Sequence, residues 1–157
     1  MAAAAEEWSP KLVSHRLVGD VARAAETVVA AAEAAPEDKP IALIFGGETT
    51  VQLTGTGLGG RNQELALRVA KLGAGRLSGN WLFLSGGTDG RDGPTDAAGG
   101  IATSATWDAI KAAGQDPEAL LANNDSYAAL KSADALLITG GTGTNVADVQ
   151  VFLRRPS

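Results

Sequence analysis

Gly55-Thr56-Gly57-Leu58-Gly59-Gly60-Arg61-Asn62-Gln63-Glu64 runs without a break into Leu65-Ala66-Leu67-Arg68-Val69-Ala70-Lys71-Leu72. A glycine-rich turn therefore opens an amphipathic helix, with Gly73 and Gly75 as its expected stop. Glycine has no Cβ, so such a turn tolerates positive φ and lets another group approach the backbone closely. The first N–H groups of the helix have no partner within it and sit at the positive end of its dipole. Phosphate and carboxylate suit that place. Arg61 adds a planar, permanently charged fork that can bind two anionic oxygens at once. The first reading is an anion site; a glycine-rich surface loop capping an ordinary helix fits the same letters.

Upstream, Ile41-Ala42-Leu43-Ile44-Phe45 is a continuous apolar run, as in a strand buried on both faces. Gly46-Gly47-Glu48 then turns the chain, and Thr50-Val51-Gln52-Leu53-Thr54 alternates with a period of two, which predicts an antiparallel hairpin. Downstream, Trp81–Leu84, Ala135–Thr139 and Val149–Leu153 read as further strands, and Lys11–Ser14 as a short one. Residues 99–102 fit a strand or a helix start. Helix spacing covers residues 17–35, up to Pro36, and residues 104–113. Asp116 with Pro117 forms an N-cap and first-turn pair opening a helix to Ala122, and Asn123 begins another through Lys131. The pattern predicts a single α/β domain over residues 11–157, a mixed, partly antiparallel β-sheet sandwiched by helices in three layers. Residues 1–10 read as a poorly ordered lead-in.

A chain of 157 residues is long enough to bury one real core. A net charge of −5 and scattered basic residues exclude a general nucleic-acid binder, which needs a basic patch. No cysteine is present, so there is no disulfide framework, thiolate metal site or cysteine nucleophile. That usage is compatible with a reducing cytoplasm, the expected location. His15 is the single histidine, which excludes a multi-histidine metal site and argues against a histidine-based triad. It reads as a surface or capping residue. No apolar run is long enough to span a membrane, and Glu6 and Glu7 follow an opening alanine run that lacks the basic start of a secretory signal.

Three loops are composed alike, namely Gly46-Gly47-Glu48-Thr49, Ser85-Gly86-Gly87-Thr88-Asp89 and Thr139-Gly140-Gly141-Thr142-Gly143-Thr144-Asn145. Each offers backbone N–H groups and hydroxyls with little bulk. Strand ends gathered at one sheet edge would make them the lining of a cleft for a phosphorylated ligand; three independent turns is the plainer alternative. Asp89, Asp92 and Asp96 are hard oxygen ligands in one loop, suited to Mg²⁺ or to fixing turns through local N–H groups. Glu48 fits a general base or a cap. Gly55, Gly57 and Gly60 also match the dinucleotide pattern G-x-G-x-x-G, but the preceding strand reads as part of a hairpin and no acidic residue stands at the end of strand 81–84.

Gly46-Gly47-Glu48-Thr49-Thr50-Val51, Gly59-Gly60-Arg61-Asn62-Gln63-Glu64, Leu84-Ser85-Gly86-Gly87-Thr88-Asp89-Gly90 with Asp92-Gly93-Pro94-Thr95, Asn124-Asp125-Ser126 and Thr142-Gly143-Thr144-Asn145-Val146 carry a resemblance. In this order they resemble the C-terminal MOFRL domain of the glycerate 2-kinases, often labelled hydroxypyruvate reductases. One departure is Gly141, where many members have proline, which should loosen that loop. The resemblance implies ATP- and Mg²⁺-dependent phosphorylation of glycerate at its 2-hydroxyl. It further implies an N-terminal α/β partner domain, absent from this chain along with the family's lysine, so that the isolated chain is expected to be inactive. Arg61 becomes the candidate catalytic residue. Candidate substrate- and nucleotide-binding residues are Gly46, Gly47, Glu48, Gly59, Gly60, Asn62, Ser85, Gly86, Gly87, Thr88, Asp89, Thr142, Gly143, Thr144 and Asn145, with Asp89 and Asp92 as candidate metal ligands. The expected partners are a small hydroxy acid, a nucleotide and the missing domain; a homo-oligomer stays open. Two rival expectations are an NAD(P)-dependent hydroxypyruvate reductase and a stand-alone nucleotide- or anion-binding module.

Overall fold

The computed structural model describes residue 8 and residues 10–156, so the lead-in expected over residues 1–10 lies mostly outside it. In chain order the elements are β1 (Pro10–Ser14), β2 (Gly19–Asp20), α1 (Val21–Glu33), β3 (Ile41–Gly47), β4 (Thr49–Thr50), α2 (Arg61–Arg76), β5 (Trp81–Gly87), β6 (Gly99–Thr103), α3 (Thr106–Ala112), α4 (Pro117–Ala122), α5 (Ser126–Ser132), β7 (Leu136–Leu137) and β8 (Asp148–Arg154). Six strands form one mixed sheet in the order β1-β3-β8-β5-β6-β7. β1 and β3 are parallel and every other neighbouring pair is antiparallel. The α/β architecture with a mixed sheet is the one the sequence predicts.

The last strand is the central one. β8 lies between β3 and β5, and Phe152 is in register with Leu43 on one side and Phe83 on the other. Trp81 stacks on Phe152 with ring centroids 5.8 Å apart. Phe45, Phe83 and Phe152 are completely buried, each contributing about 1.5–3 kcal/mol by leaving water. α1 and α2 lie against each other above this face, and α3 to α5 complete the helical layer against α2.

Alternate residues of the strands face the other way. Ile44, Leu82, Leu84, Val151 and Leu153 are half-buried and lie outside the core cluster. The layer of helices expected on this second face is not supplied by the described residues. Apolar runs such as Ile41–Phe45 put greasy side chains on both faces, and the letters cannot say which face the chain's own helices cover.

Several other local expectations change. No hairpin follows β3: Thr49–Thr50 pairs in parallel with Gly19–Asp20, and residues 51–54 form an irregular segment. Helix α1 starts at Val21, where Asp20 caps it by accepting the Ala22 N–H at 2.9 Å, rather than at Leu17. Helix α2 passes through Gly73 and Gly75 to Arg76; Gly73 lies against the Trp81 ring, where a side chain would not fit. Residues 99–102 belong to a strand, Asn124 to a left-handed turn before α5, and the run from Ala135 pairs only at Leu136–Leu137.

Register places Gly47, Asp148 and Gly87 side by side. The ends of β3 and β5 and the start of β8 thus meet at one edge of the sheet, and the three glycine loops emerge together there.

Candidate active site

The glycine loop before α2 is built to receive protein. Five consecutive amides, Thr54 to Leu58, donate to the turn between α4 and α5. Asn124 Oδ1 accepts from Thr54 N at 2.7 Å and Gly55 N at 2.9 Å, and Asn123 Oδ1 from Thr56 N at 3.1 Å. The Asn123 carbonyl accepts from Gly57 N at 2.9 Å and Asp125 Oδ1 from Leu58 N at 3.3 Å. A Cβ on Gly57 would lie 2.6 Å from the Asn123 carbonyl oxygen and 2.5 Å from the Asp125 Cβ. The glycines are there because another backbone comes close. The dinucleotide reading of this loop therefore loses the free amides a pyrophosphate would need.

The start of α2 is likewise occupied. Gly60 is its N-cap and offers no side chain. The carboxylate of Asp92 fills the place, accepting Asn62 N at 3.1 Å and Gln63 N at 2.8 Å, and the side-chain amides of Asn62 and Gln63 at 3.4 and 3.0 Å. The anion expected at this helix start is the protein's own. A Cβ on Gly60 would sit 2.4 Å from the Asp92 carboxyl carbon. Burial pushes the Asp92 pKa above the ordinary aspartate value, against the four donors that pull it down.

Arg61, the first residue of α2, reaches the sheet edge. Its Nε donates to Asp148 Oδ2 at 2.6 Å and its Nη2 to Asp148 Oδ1 at 3.0 Å, a two-bond fork. Its Nη1 lies 3.0 Å from Glu48 Oε1. The hydrogen bonds from Arg61 to Asp148, and the charges of Asp148, Glu48 and Asp92, hold the guanidinium pKa above its ordinary value despite partial burial, so Arg61 stays cationic. Arg61 and Glu48 face a cleft of about 670 Å³ whose wall includes Thr49, Leu53, Gly59 and Asn124.

The structure brings some of the predicted residues together and separates others. Glu48, Gly59, Gly60 and Arg61 line the cleft. Asn62 and Ser85 lie beneath it, fully buried, with Ser85 Oγ donating to Asn62 Oδ1 at 2.6 Å. Gly46, Gly47, Gly86 and Gly87 are in strands β3 and β5; Gly47 has φ +134°, and a Cβ there would lie 2.6 Å from the backbone of Leu17. Thr88, Asp89 and the exposed run Thr142, Gly143, Thr144 and Asn145 form a neighbouring rim. Thr88 Oγ1 accepts from Val146 N at 2.8 Å and donates to Ala147 O at 2.7 Å, Thr142 N donates to Asp89 O at 3.3 Å, and Thr142 Oγ1 donates to Thr88 O. His15 is exposed.

The paired metal role of Asp89 and Asp92 does not fit this geometry. Both Asp92 oxygens serve the helix start, and Asp89 Oδ1 accepts the Arg91 N–H at 3.0 Å in a local turn. Among the described residues no cluster of three or more acidic or histidine side chains could hold a metal ion. No helix among them is long and apolar enough to cross a membrane.

The sequence pattern of the MOFRL family matches residues 41–148. The chain belongs to the MOFRL family. It is 58% identical over 118 residues to D-glycerate 2-kinase from Thermotoga maritima, covering 75% of this chain and 28% of that protein. It is 52% identical over 122 residues to human glycerate kinase, covering 74% and 23%. A crystal structure of glycerate kinase from Thermotoga maritima superposes with a TM-score of 0.86 at 46% identity, over 96% of this chain and 37% of that one. A solved protein from Pyrococcus horikoshii gives 0.88 at 35%, over 99% and 36%. The chain thus spans about a quarter of the length of the curated relatives it matches.

Within this MOFRL domain, two residues that hold the cleft's side chains and loops in place escape a reading of the letters. Asp148 precedes the alternating run Val149–Leu153, and strand parity puts it on the inner face with Gln150 and Phe152. A charged residue on an inner face needs a partner, and that is the signal that could have found it. Asn124 stood in a matched motif, but nothing in its spacing reveals that its amide serves two segments: besides its acceptor bonds, Nδ2 donates to Gln52 O at 3.2 Å and to the buried Glu64 Oε2 at 3.1 Å.

Proposed function

We propose that this chain is the C-terminal part of a glycerate 2-kinase, supplying one wall of the cleft in which ATP phosphorylates the 2-hydroxyl of glycerate to give 2-phosphoglycerate. The observation that carries the reading is Arg61: a permanently cationic, oriented guanidinium facing an open cleft at the edge where the glycine loops gather. Phosphoryl transfer depends mainly on positioning and on neutralising charge that develops on the phosphoryl oxygens. Arg61 supplies both from this side. The relatives' names support glycerate as the acceptor.

In this reading Mg²⁺ accompanies the nucleotide phosphates, as it commonly does where a protein contributes only one or two carboxylates. The other wall, with its nucleotide contacts, belongs to an N-terminal domain carried by the larger relatives. A cytoplasmic location accords with the absence of cysteine. The test is an assay with ATP, Mg²⁺ and D-glycerate on this chain alone and on the chain joined to that domain. The joined protein is expected to form 2-phosphoglycerate and the chain alone to form none. Turnover by the chain alone, or oxidation of NADH with hydroxypyruvate by the joined protein in place of phosphorylation, would overturn the reading.

A further inference from the structure

A guanidinium can bind a carboxylate or phosphate with two parallel bonds along its Nε/Nη2 edge or along its Nη1/Nη2 edge. In Arg61 the two edges are treated differently. Asp148 takes the first edge with both oxygens, and its side chain is 1% exposed. Glu48 reaches only Nη1 on the second edge, and its side chain is 58% exposed. Removing a partner from a buried pair is strongly unfavourable, whereas a solvated pair contributes little. Asp148 is also fixed by the sheet, between Gly47 and Gly87 in register. Glu48 stands in the single-residue gap between β3 and β4, at the mouth of the cleft.

We propose that Asp148 is the positioning residue for Arg61, and that Glu48 is a displaceable occupant of the edge where a phosphoryl or carboxylate anion binds. The inference rests on the reading of the Arg61 cleft as an anion site, and it deepens that reading. Asp148 fixes the direction of the guanidinium, so its Nη1/Nη2 edge points into the cleft before any ligand arrives. Glu48 neutralises that edge when the cleft is empty and swings into solvent when an anion competes for it. The anion then meets a pre-oriented fork and has to displace only a weak, solvated ion pair.

The test is nuclear magnetic resonance of arginine side chains in this chain, titrated with inorganic phosphate, the Arg61 signals being assigned with Arg61→Lys. In the unaltered chain phosphate should move the Arg61 Nη signals and leave its Nε–H signal in place. Glu48→Gln should bind phosphate about threefold more tightly, the scale of one exposed ion pair removed, again with the Nε–H signal unmoved. Asp148→Asn should shift the Nε–H signal toward that of free arginine, and phosphate, able to reach that edge, should then move the Nε–H signal as well; an Nε–H signal that stays fixed in this variant would mean that Asp148 does not hold that edge. If Asp148→Asn does not fold, the unaltered chain still decides, because an Nε–H signal that moves with phosphate means that Asp148 is the partner displaced. That outcome, or Glu48→Gln binding phosphate no more tightly, overturns the proposal. None of these readouts needs turnover, so failure of the kinase assay and failure of this inference are told apart.

Discussion

The glycine loops at residues 55–60 and 139–145 are written in the same letters and have opposite fates. In the first, five successive amides donate to the Asn123–Asp125 turn, and added side chains would collide with its backbone. In the second, residues 139–145 are exposed, and a Cβ on Gly140, Gly141 or Gly143 would meet nothing within 4 Å. Lack of bulk serves internal docking in one case and leaves an open rim in the other. Glycine content announces that something comes close to the backbone, or that the backbone turns sharply; it does not say whether the visitor is a ligand or the same chain.

The comparison can be broken by substitution. Gly57→Ala forces a Cβ into the Asn123 backbone and should cost about 3 kcal/mol by overpacking, read as a lowered midpoint in urea unfolding. A cost below about 1 kcal/mol would mean that the docked loop yields easily and the contrast is overstated.

Asp92→Asn sharpens the same contrast at the helix start. It keeps the shape but loses acceptor capacity toward Asn62 and Gln63, and should cost about 1–2 kcal/mol, the scale of a lost N-cap. Because burial raises the folded pKa of Asp92 above its unfolded value, its titration adds stability below the unfolded pKa, about 4, which is lost as pH rises through the folded value. The deficit of Asp92→Asn should therefore be widest at low pH and narrow as pH rises across that window. Unfolding curves of both proteins at several pH values check this, and a deficit that widens with pH would contradict it.

The smallest effect belongs to the open rim. Gly141→Ala should change stability by less than about 0.5 kcal/mol, as surface substitutions do. A larger loss would show that Gly141 itself, and not only Thr142 through its bonds to Thr88 and Asp89, is held against a neighbour.

Much of the fold was legible because it is local. Asp116 followed by Pro117 opens α4 as written, with Asp116 Oδ1 accepting from Glu118 N and Ala119 N. The apolar strands Ile41–Gly47, Trp81–Gly87 and Asp148–Arg154 fall where the runs lie. What the letters hid was long-range. Nothing in Val149–Leu153 says that the last strand is the middle of the sheet. Residues 50–54 alternate like a strand, but Thr54 N and the Gln52 carbonyl bond to the side chain of Asn124, seventy or more positions away. The candidate site divides in the same way. Arg61 was legible from its place after the glycines, while its partner Asp148 lies 87 positions on and needed the sheet register to bring it near. Asp92 reads as a possible ligand because a loop aspartate at the surface and one capping a distant helix look identical in sequence.

The central claim is that Arg61 presents an oriented fork to a charged substrate, and Arg61→Lys in the chain joined to the proposed N-terminal domain tests it most directly. Lysine keeps a positive charge beside Asp148 but cannot form the fork. With stability verified by unfolding, kcat for glycerate phosphorylation should fall about a hundredfold, equivalent to roughly 3 kcal/mol of transition-state stabilisation. A kcat within about threefold of the unaltered enzyme, less than about 1 kcal/mol on the same scale, would show that Arg61 only fastens the helix to the sheet.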